Sequence, residues 1–387
     1  MRRNLEIILV YAMGLIQGLI LVIVPAASAV FCDPQHFGFS KSQYGALFVP
    51  QVVMSVLAAL CGPQIASRFS SKIVFQTGVF FNCAAAALIA LSQCLAGKPT
   101  AYFCMMLATA CVGAGFGTVL PMINVYAQRF FPNNTAAALT CLHSLLGTGT
   151  ALAPLLAVFF LKAGWWLLPV YSLAVASIIL IFSFFLPLKT EDQPSHLREV
   201  GDPSPGGGMV LWFFIAIILL YGYCETMFGN WSIIYLNNEK GIASSSANYA
   251  LSMFWVMVTL GRLLTALISK WVDPRRIYQA LCVLIAISLW AVTTVKSPVM
   301  GIALFGLAGF SCSSFFPLSF SMAQGRFPSM AEKVSGFLMA SYMAGYGLAS
   351  YGIGKMVESS HLTLGSVYQV SSAIGIIMVI LTFFIIS

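Results

Sequence analysis

Charge is what this chain has least of: Asp, Glu, Lys and Arg make up only 8% of its 387 residues, where a soluble domain carries about 25%. So few charges cannot clothe a folded chain for water, and a soluble globular protein is excluded. Acids are scarcer than bases, 11 against 19. The resulting net charge of +8 does not imply a nucleic-acid partner, because the basic residues fall in short clusters between apolar runs and not on a stripe with interleaved aromatics. Metal-ligand spacing is missing as well. The 4 histidines and 10 cysteines form no CxxC pair and no His/Cys cluster, so neither a metal nor another cofactor is expected. All the cysteines but Cys32 lie in or at the ends of apolar runs and read as small apolar side chains; Cys32 looks loop-borne. An intramembrane enzyme would need a nucleophile and base, or paired acids, at one depth. One deep acid and one deep histidine do not make such a set, and no enzyme is expected.

What the chain has in abundance is apolar length. Hydrophobic residues make up 59% of it, and a helix of about 20 apolar residues crosses the hydrocarbon core of a bilayer. On that ruler the sequence predicts an all-α membrane protein with twelve transmembrane spans, at 5–31, 42–66, 73–95, 100–128, 135–162, 164–187, 209–237, 244–269, 275–295, 298–325, 333–357 and 362–386. The first follows Met1-Arg2-Arg3, a start that resembles a signal peptide, but its apolar run continues to about Phe31, too long for one. A polar segment, Lys189 to Gly208, separates the sixth and seventh spans, and its Pro, Gly and charge content cannot bury enough surface to fold. The expected organisation is a six-helix bundle over 1–188, a cytoplasmic linker over 189–208 and a second six-helix bundle over 209–387. With the N-terminus in the cytoplasm, twelve Lys and Arg residues fall inside and six outside, which is the positive-inside bias. Both termini are then cytoplasmic.

The two halves repeat one another. Gly113 to Pro132, shifted by 196 positions, lies over Gly309 to Pro328 with Gly113/Gly309, Pro121/Pro317, Ala127/Ala323, Gln128/Gln324, Phe131/Phe327 and Pro132/Pro328 identical. A repeat of this length means two similar halves. Weaker echoes place Gly147-Thr148-Gly149 over Gly345-Tyr346-Gly347, and Gly14-Leu15-Ile16-Gln17 over Gly222-Tyr223-Cys224-Glu225. Pro121 and Pro317, at equivalent positions, are expected to kink the fourth and tenth spans alike.

At these residues the chain resembles the major facilitator superfamily of secondary transporters along its whole length. The cytoplasmic loop motif of that family, roughly G-x-x-x-D-R-x-G-R-R, is present in worn form: Gly62, Arg68 and Lys72 in the first half, and Gly261-Arg262 followed by Lys270, Asp273, Arg275 and Arg276 in the second. Ser67 stands where the family carries an acid. Gly14, Gly18, Pro25, Gly115, Gly117, Asn124, Glu225, Trp231, Tyr235, Trp255 and Gly261-Arg262 are similar to the sugar-porter branch around the fucose:proton symporter. Where that branch carries proton-coupling acids in helices 1 and 4, Leu21 and Leu120 align here. The resemblance implies two halves related by an axis normal to the membrane, substrate bound between them near the midplane, alternating access, a bacterial inner (plasma) membrane location and a monomer.

Glu225 is the only acid deep in a span, about 24 Å along its helix at ~1.5 Å per residue. A charge there costs on the order of 2.5–3.5 kcal/mol, so the carboxyl must face a wet cavity, meet a partner or carry a proton. It is a candidate for substrate binding and proton coupling, or for an interhelical hydrogen bond. His143 carries an imidazole, a group that in water changes charge in the physiological range, and is a second candidate for both roles, or a packing residue. Gln17 and Asn124 are amides suited to a substrate hydroxyl or carbonyl, and equally to a bond between helices. Asn230, Trp231 and Tyr235 lie within three turns of Glu225. Aromatic faces beside amides suit sugar-like solutes, although Trp and Tyr also favour bilayer interfaces. Arg68 and Arg262 are expected to act at the cytoplasmic gate, with Arg262 snorkelling or pairing there.

These residues imply a secondary carrier for a small polar metabolite, sugar-like or an organic acid, with a proton as the coupling ion. An exporter of amphipathic compounds such as drugs or siderophores is the alternative. It is disfavoured because the fifth span has Gly147, Gly149 and Pro154 but lacks the closing glycine pair that such exporters carry.

Overall fold

Helix starts follow from local chemistry. Pro99, Pro274 and Pro298 open three helices at positions where an N–H would find no partner. Asp273 and Ser297 cap two of them, accepting from the backbone N–H of Arg275 at 2.8 Å and of Met300 at 3.3 Å. The computed structural model describes residues 2–160, 163–188, 207–360 and 362–386; most of the expected linker lies outside the described residues, as does Lys162. Among the described residues the secondary structure is helical. The first unit contains α1 (Arg2–Ala26), α2 (Ser28–Cys32), α3 (Lys41–Ala46), α4 (Phe48–Arg68), α5 (Ser71–Ser92), α6 (Pro99–Phe130), α7 (Thr135–Phe160) and α8 (Leu167–Phe185). The second contains α9 (Gly207–Ile234), α10 (Ser244–Ile268), α11 (Pro274–Ala291), α12 (Pro298–Cys312), α13 (Phe315–Arg326), α14 (Ala331–Gly347), α15 (Ile353–Ser359) and α16 (Leu364–Ile386). The chain divides into these two compact units at Asp192 and Gln193.

Eleven segments are long and apolar enough to cross a bilayer among the described residues. The expected eleventh span is the exception. It is α14 and α15 joined by a π turn at Leu348–Gly352, and its glycines, serines and tyrosines make it less apolar than the others. A second π turn, Tyr235–Glu239, closes α9. Cys32, expected in a loop, ends α2 instead, and all ten cysteines are free thiols.

The same packing recurs in both units: α1 lies on α7 as α9 lies on α14, α4 on α6 as α10 on α12, and α5 on α8 as α11 on α16. Glycines allow these crossings. A Cβ on Gly113 would come 2.0 Å from the Gln51 carbonyl oxygen, and one on Gly309 2.0 Å from that of Phe254, so this identical pair in the repeat does one job twice. At the α1/α7 crossing, a Cβ on Gly149 would come 1.9 Å from the Leu15 carbonyl oxygen, and one on Gly18 1.9 Å from that of Leu146. At the α9/α14 crossing, a Cβ on Gly345 would come 2.0 Å from the Leu219 carbonyl oxygen, and one on Gly222 2.5 Å from that of Tyr342.

These contacts correct the weaker echoes. Gly149 corresponds to Gly345 and Gly18 to Gly222, one helical turn away from the Gly14/Gly222 alignment. Gln17 therefore corresponds to Tyr221, and Leu21 to Glu225. The two prolines also differ in effect. Helix α6 continues through Pro121, whereas the tenth span breaks at Ser313-Ser314 into α12 and α13.

Candidate functional site

Glu225 is 6% exposed on α9. One turn earlier on the same helix, the Tyr221 hydroxyl lies 2.8 Å from Oε1. From α14, the Tyr342 hydroxyl donates to Oε2 at 2.5 Å. Tyr342 reaches it because Gly222 and Gly345 let the two backbones approach. A buried carboxyl needs such donors, since an uncompensated one would stay costly to desolvate. It makes no salt bridge, although the charge of Arg262 acts on it from α10; a His36–Asp33 ion pair lies on an exposed loop outside the spans. There the Asp33 carboxyl is held below the usual carboxylate range by the Gln35 backbone N–H and then by His36.

Tyr221 is held from the side as well. Its ring stacks on Phe315 at 5.0 Å, and Phe315 stacks on Tyr278 at 4.5 Å. Its hydroxyl also lies 2.9 Å from the Cys312 carbonyl oxygen, at the break in the tenth span. The next carbonyl, Ser313, is four residues before Pro317, which has no N–H to return to it. Arg262 supplies the donor instead, Nε to O at 2.9 Å. Arg262 thus does not snorkel toward the end of α10; it is half-buried against the broken helix. Arg68 is exposed at the end of α4.

Farther along α9, Asn230 donates through Nδ2 to the Tyr346 hydroxyl and to Ser350 Oγ, each at 3.1 Å. Trp231 is fully buried, and its Nε1 donates to the Ala349 carbonyl at 3.1 Å. Ser350 and Ala349 lie in the π turn, where the i to i−4 ladder is interrupted, and the Trp231 indole satisfies a carbonyl there that the helix leaves open. Tyr235 is also buried, with its hydroxyl on the Val292 carbonyl at 3.1 Å. Its ring lines a cavity of about 430 Å³ together with Glu239, Lys240, Thr293, Ser366 and Gln369. Glu239 there accepts from the Gly365 N–H at 2.8 Å, and Lys240 donates to the Thr293 carbonyl at 2.7 Å.

In the first unit, Gln17 is fully buried and accepts through Oε1 from Asn82 Nδ2 of α5 at 2.9 Å. Gln17 Nε2 and Asn82 Oδ1 are left without hydrogen-bond partners, as is the buried Oδ1 of Asn124 on α6. His143 is half-buried on α7. The structure therefore joins Glu225 to Tyr221 and Tyr342, and Gln17 to Asn82. Sequence reasoning missed Tyr221 and Asn82. Tyr221 had a signal, its i−4 spacing from the single deep acid; Asn82 had only its polarity within an apolar run.

Residues 7–350 match the family described as the Major Facilitator Superfamily. The chain is 26% identical over 291 residues to the Glucose/mannose transporter GlcP of Bacillus subtilis (strain 168), a match spanning 72% of this chain and 71% of that one. Its fold is similar to the nucleoside transporter NupG, with a TM-score of 0.78, 14% identity and full coverage of both chains. It is also similar to the inward-open xylose transporter XylE from E. coli, with a TM-score of 0.76, 12% identity, and 100% and 96% coverage.

Proposed function

Because the chain belongs to the Major Facilitator Superfamily and is a membrane transporter of that kind, not an enzyme, we propose that it carries a hexose or a similar polyhydroxylated solute together with a proton on Glu225. The two six-helix halves, 1–188 and 209–387, alternate access to the site. The chain works as a monomer in a bacterial inner membrane, with both termini cytoplasmic. The substrate class is supported by the similarity to a glucose/mannose transporter. The proton is supported by one observation above others: the single deep carboxyl is buried, makes no salt bridge, and is held by two tyrosine hydroxyls. Such a group can exist ionised or neutral inside the protein, with the charge of Arg262 acting on it from α10 but not paired to it.

Asn230 with Tyr346 and Ser350, and Gln17 with Asn124, are the substrate-binding amides in this reading, the free amide atoms of the first unit being matched to a solute hydroxyl, which both donates and accepts. Trp231 and Tyr235 hold the wall that carries Asn230. Arg262 acts at the gate through the broken tenth span, Arg68 at the cytoplasmic loop, and His143 is a secondary proton group. The test is uptake of radiolabelled D-glucose into proteoliposomes under an imposed inward proton gradient, with D-mannose, D-xylose and a nucleoside as competitors. Accumulation that collapses with a protonophore supports the proposal. No glucose entry would move the substrate to another class.

A further inference from the structure

Tyr221 Oη has one proton to give and two acceptors within reach, Glu225 Oε1 at 2.8 Å and the Cys312 carbonyl oxygen at 2.9 Å. With Glu225 ionised, the phenol can serve the carboxylate or the carbonyl, and one is left short. With a proton on Oε1, the carboxyl donates to Tyr221 Oη, and the phenol is free to donate to Cys312. Only the proton count changes; Tyr342 donates to Oε2 in both states. Resting on the proton-carrying role given to Glu225 above, we infer that Tyr221 is a positioning residue that passes the protonation state of Glu225 to the break in the tenth span, by turning its hydroxyl proton between the carboxyl and the Cys312 carbonyl.

The surroundings suit that task. The Tyr221 ring is fixed by Phe315, the first residue after the break, so the hydroxyl can reorient by rotation about its C–O bond with no movement of the ring. The neighbouring Ser313 carbonyl is already satisfied by Arg262, which leaves Cys312 as the carbonyl whose partner depends on the acid. The titratable and charged groups facing Glu225 are Tyr221 of its own helix, Tyr342 from α14, Arg262 from α10 and Cys312 from α12. Of these, only Tyr221 shares its hydroxyl between the carboxyl and a carbonyl at the break; Tyr342 meets the broken helix through its ring, edge-on to Phe316 at 5.0 Å.

The test reads the carbonyl directly and needs no substrate. Infrared difference spectra between acid and neutral pH are recorded on the full-length purified protein labelled with carbonyl-13C cysteine, with Cys312→Ala identifying the band of position 312 and Glu225→Gln the carboxyl band. The expected result is that the Cys312 carbonyl band shifts with the same midpoint as the carboxyl band. In Tyr221→Phe the carbonyl shift vanishes while the carboxyl still titrates. In Glu225→Gln the carbonyl band stays at its acid position throughout, which serves equally well should Tyr221→Phe fold poorly. A carbonyl band indifferent to pH, one that still shifts in either variant, or a carboxyl that never titrates would overturn the inference. The first two outcomes leave proton-coupled transport standing; the third removes both.

Discussion

Leu21 of α1 stands in the first unit where Glu225 of α9 stands in the second. The correspondence is fixed by backbone contacts, since Gly149 seats on the Leu15 carbonyl and Gly345 on that of Leu219, each close to 2 Å from where a Cβ would be. Counting on from those carbonyls reaches Leu21 and Glu225 alike. A duplicated scaffold thus carries its deep acid on one side only. The first unit has, one turn earlier, the amide pair Gln17 and Asn82 where the second has Tyr221, so the two units offer different chemistry from equivalent positions.

The glycine crossings are a requirement of the backbone and not of side-chain taste. Gly149→Ala and Gly345→Ala each drive a methyl group into a carbonyl oxygen and are expected to cost about 1–3 kcal/mol as overpacking does, lowering the thermal midpoint in detergent. Gly336→Ala, with nothing within 4 Å of the added Cβ, is expected to leave stability unchanged or raise it by up to about 1 kcal/mol. Equal melting of all three variants would contradict the assignment of the crossings.

Pro317→Ala returns an N–H to the Ser313 carbonyl and competes with Arg262 for it. The break at Ser313-Ser314 is expected to close into continuous helix, with slower hydrogen exchange at residues 313–318 and a transport rate reduced at least several-fold. Stability should hold or rise, because an interior proline disfavours a helix by about 3 kcal/mol. Unchanged exchange would mean that packing by Phe315 and Tyr278, and not the missing N–H, holds the helix open.

How much of this was legible in the sequence varies by residue. The apolar runs, the polar segment after Leu188 and the Gly113/Gly309 repeat sufficed for an all-helical protein in two similar halves, because run length and identity survive without coordinates. The Gly14/Gly222 echo lies one turn out of register, since short glycine matches carry no register until a backbone contact supplies it. Pro121 and Pro317 are identical in sequence and opposite in effect. The difference comes from donors elsewhere in the chain, Tyr221 and Arg262, that make an open turn affordable in one unit. Trp231 and Tyr235 read as binding aromatics, yet their polar atoms are occupied by main-chain carbonyls, a fact invisible without the π turns.

Those two assignments separate in kinetics. Trp231→Phe removes the donor to Ala349 and is expected to cost about 1 kcal/mol of stability while leaving KM for D-glucose within twofold. Asn230→Ala, by contrast, is expected to raise KM at least tenfold, along with a stability cost of about 1–3 kcal/mol for its lost bonds to Tyr346 and Ser350. A tenfold rise in KM for Trp231→Phe would place the indole against the substrate.

The most direct measurement compares Glu225→Gln with the wild-type protein in proteoliposomes, recording both accumulation of radiolabelled D-glucose under an inward proton gradient and glucose-for-glucose exchange at equal pH. The account predicts that the variant loses gradient-driven accumulation, falling to the level set by equilibration, while it keeps exchange because binding and alternation need no net proton movement. Accumulation equal to that of the wild type would contradict it, since the proton would then be carried by a group other than the one deep carboxyl.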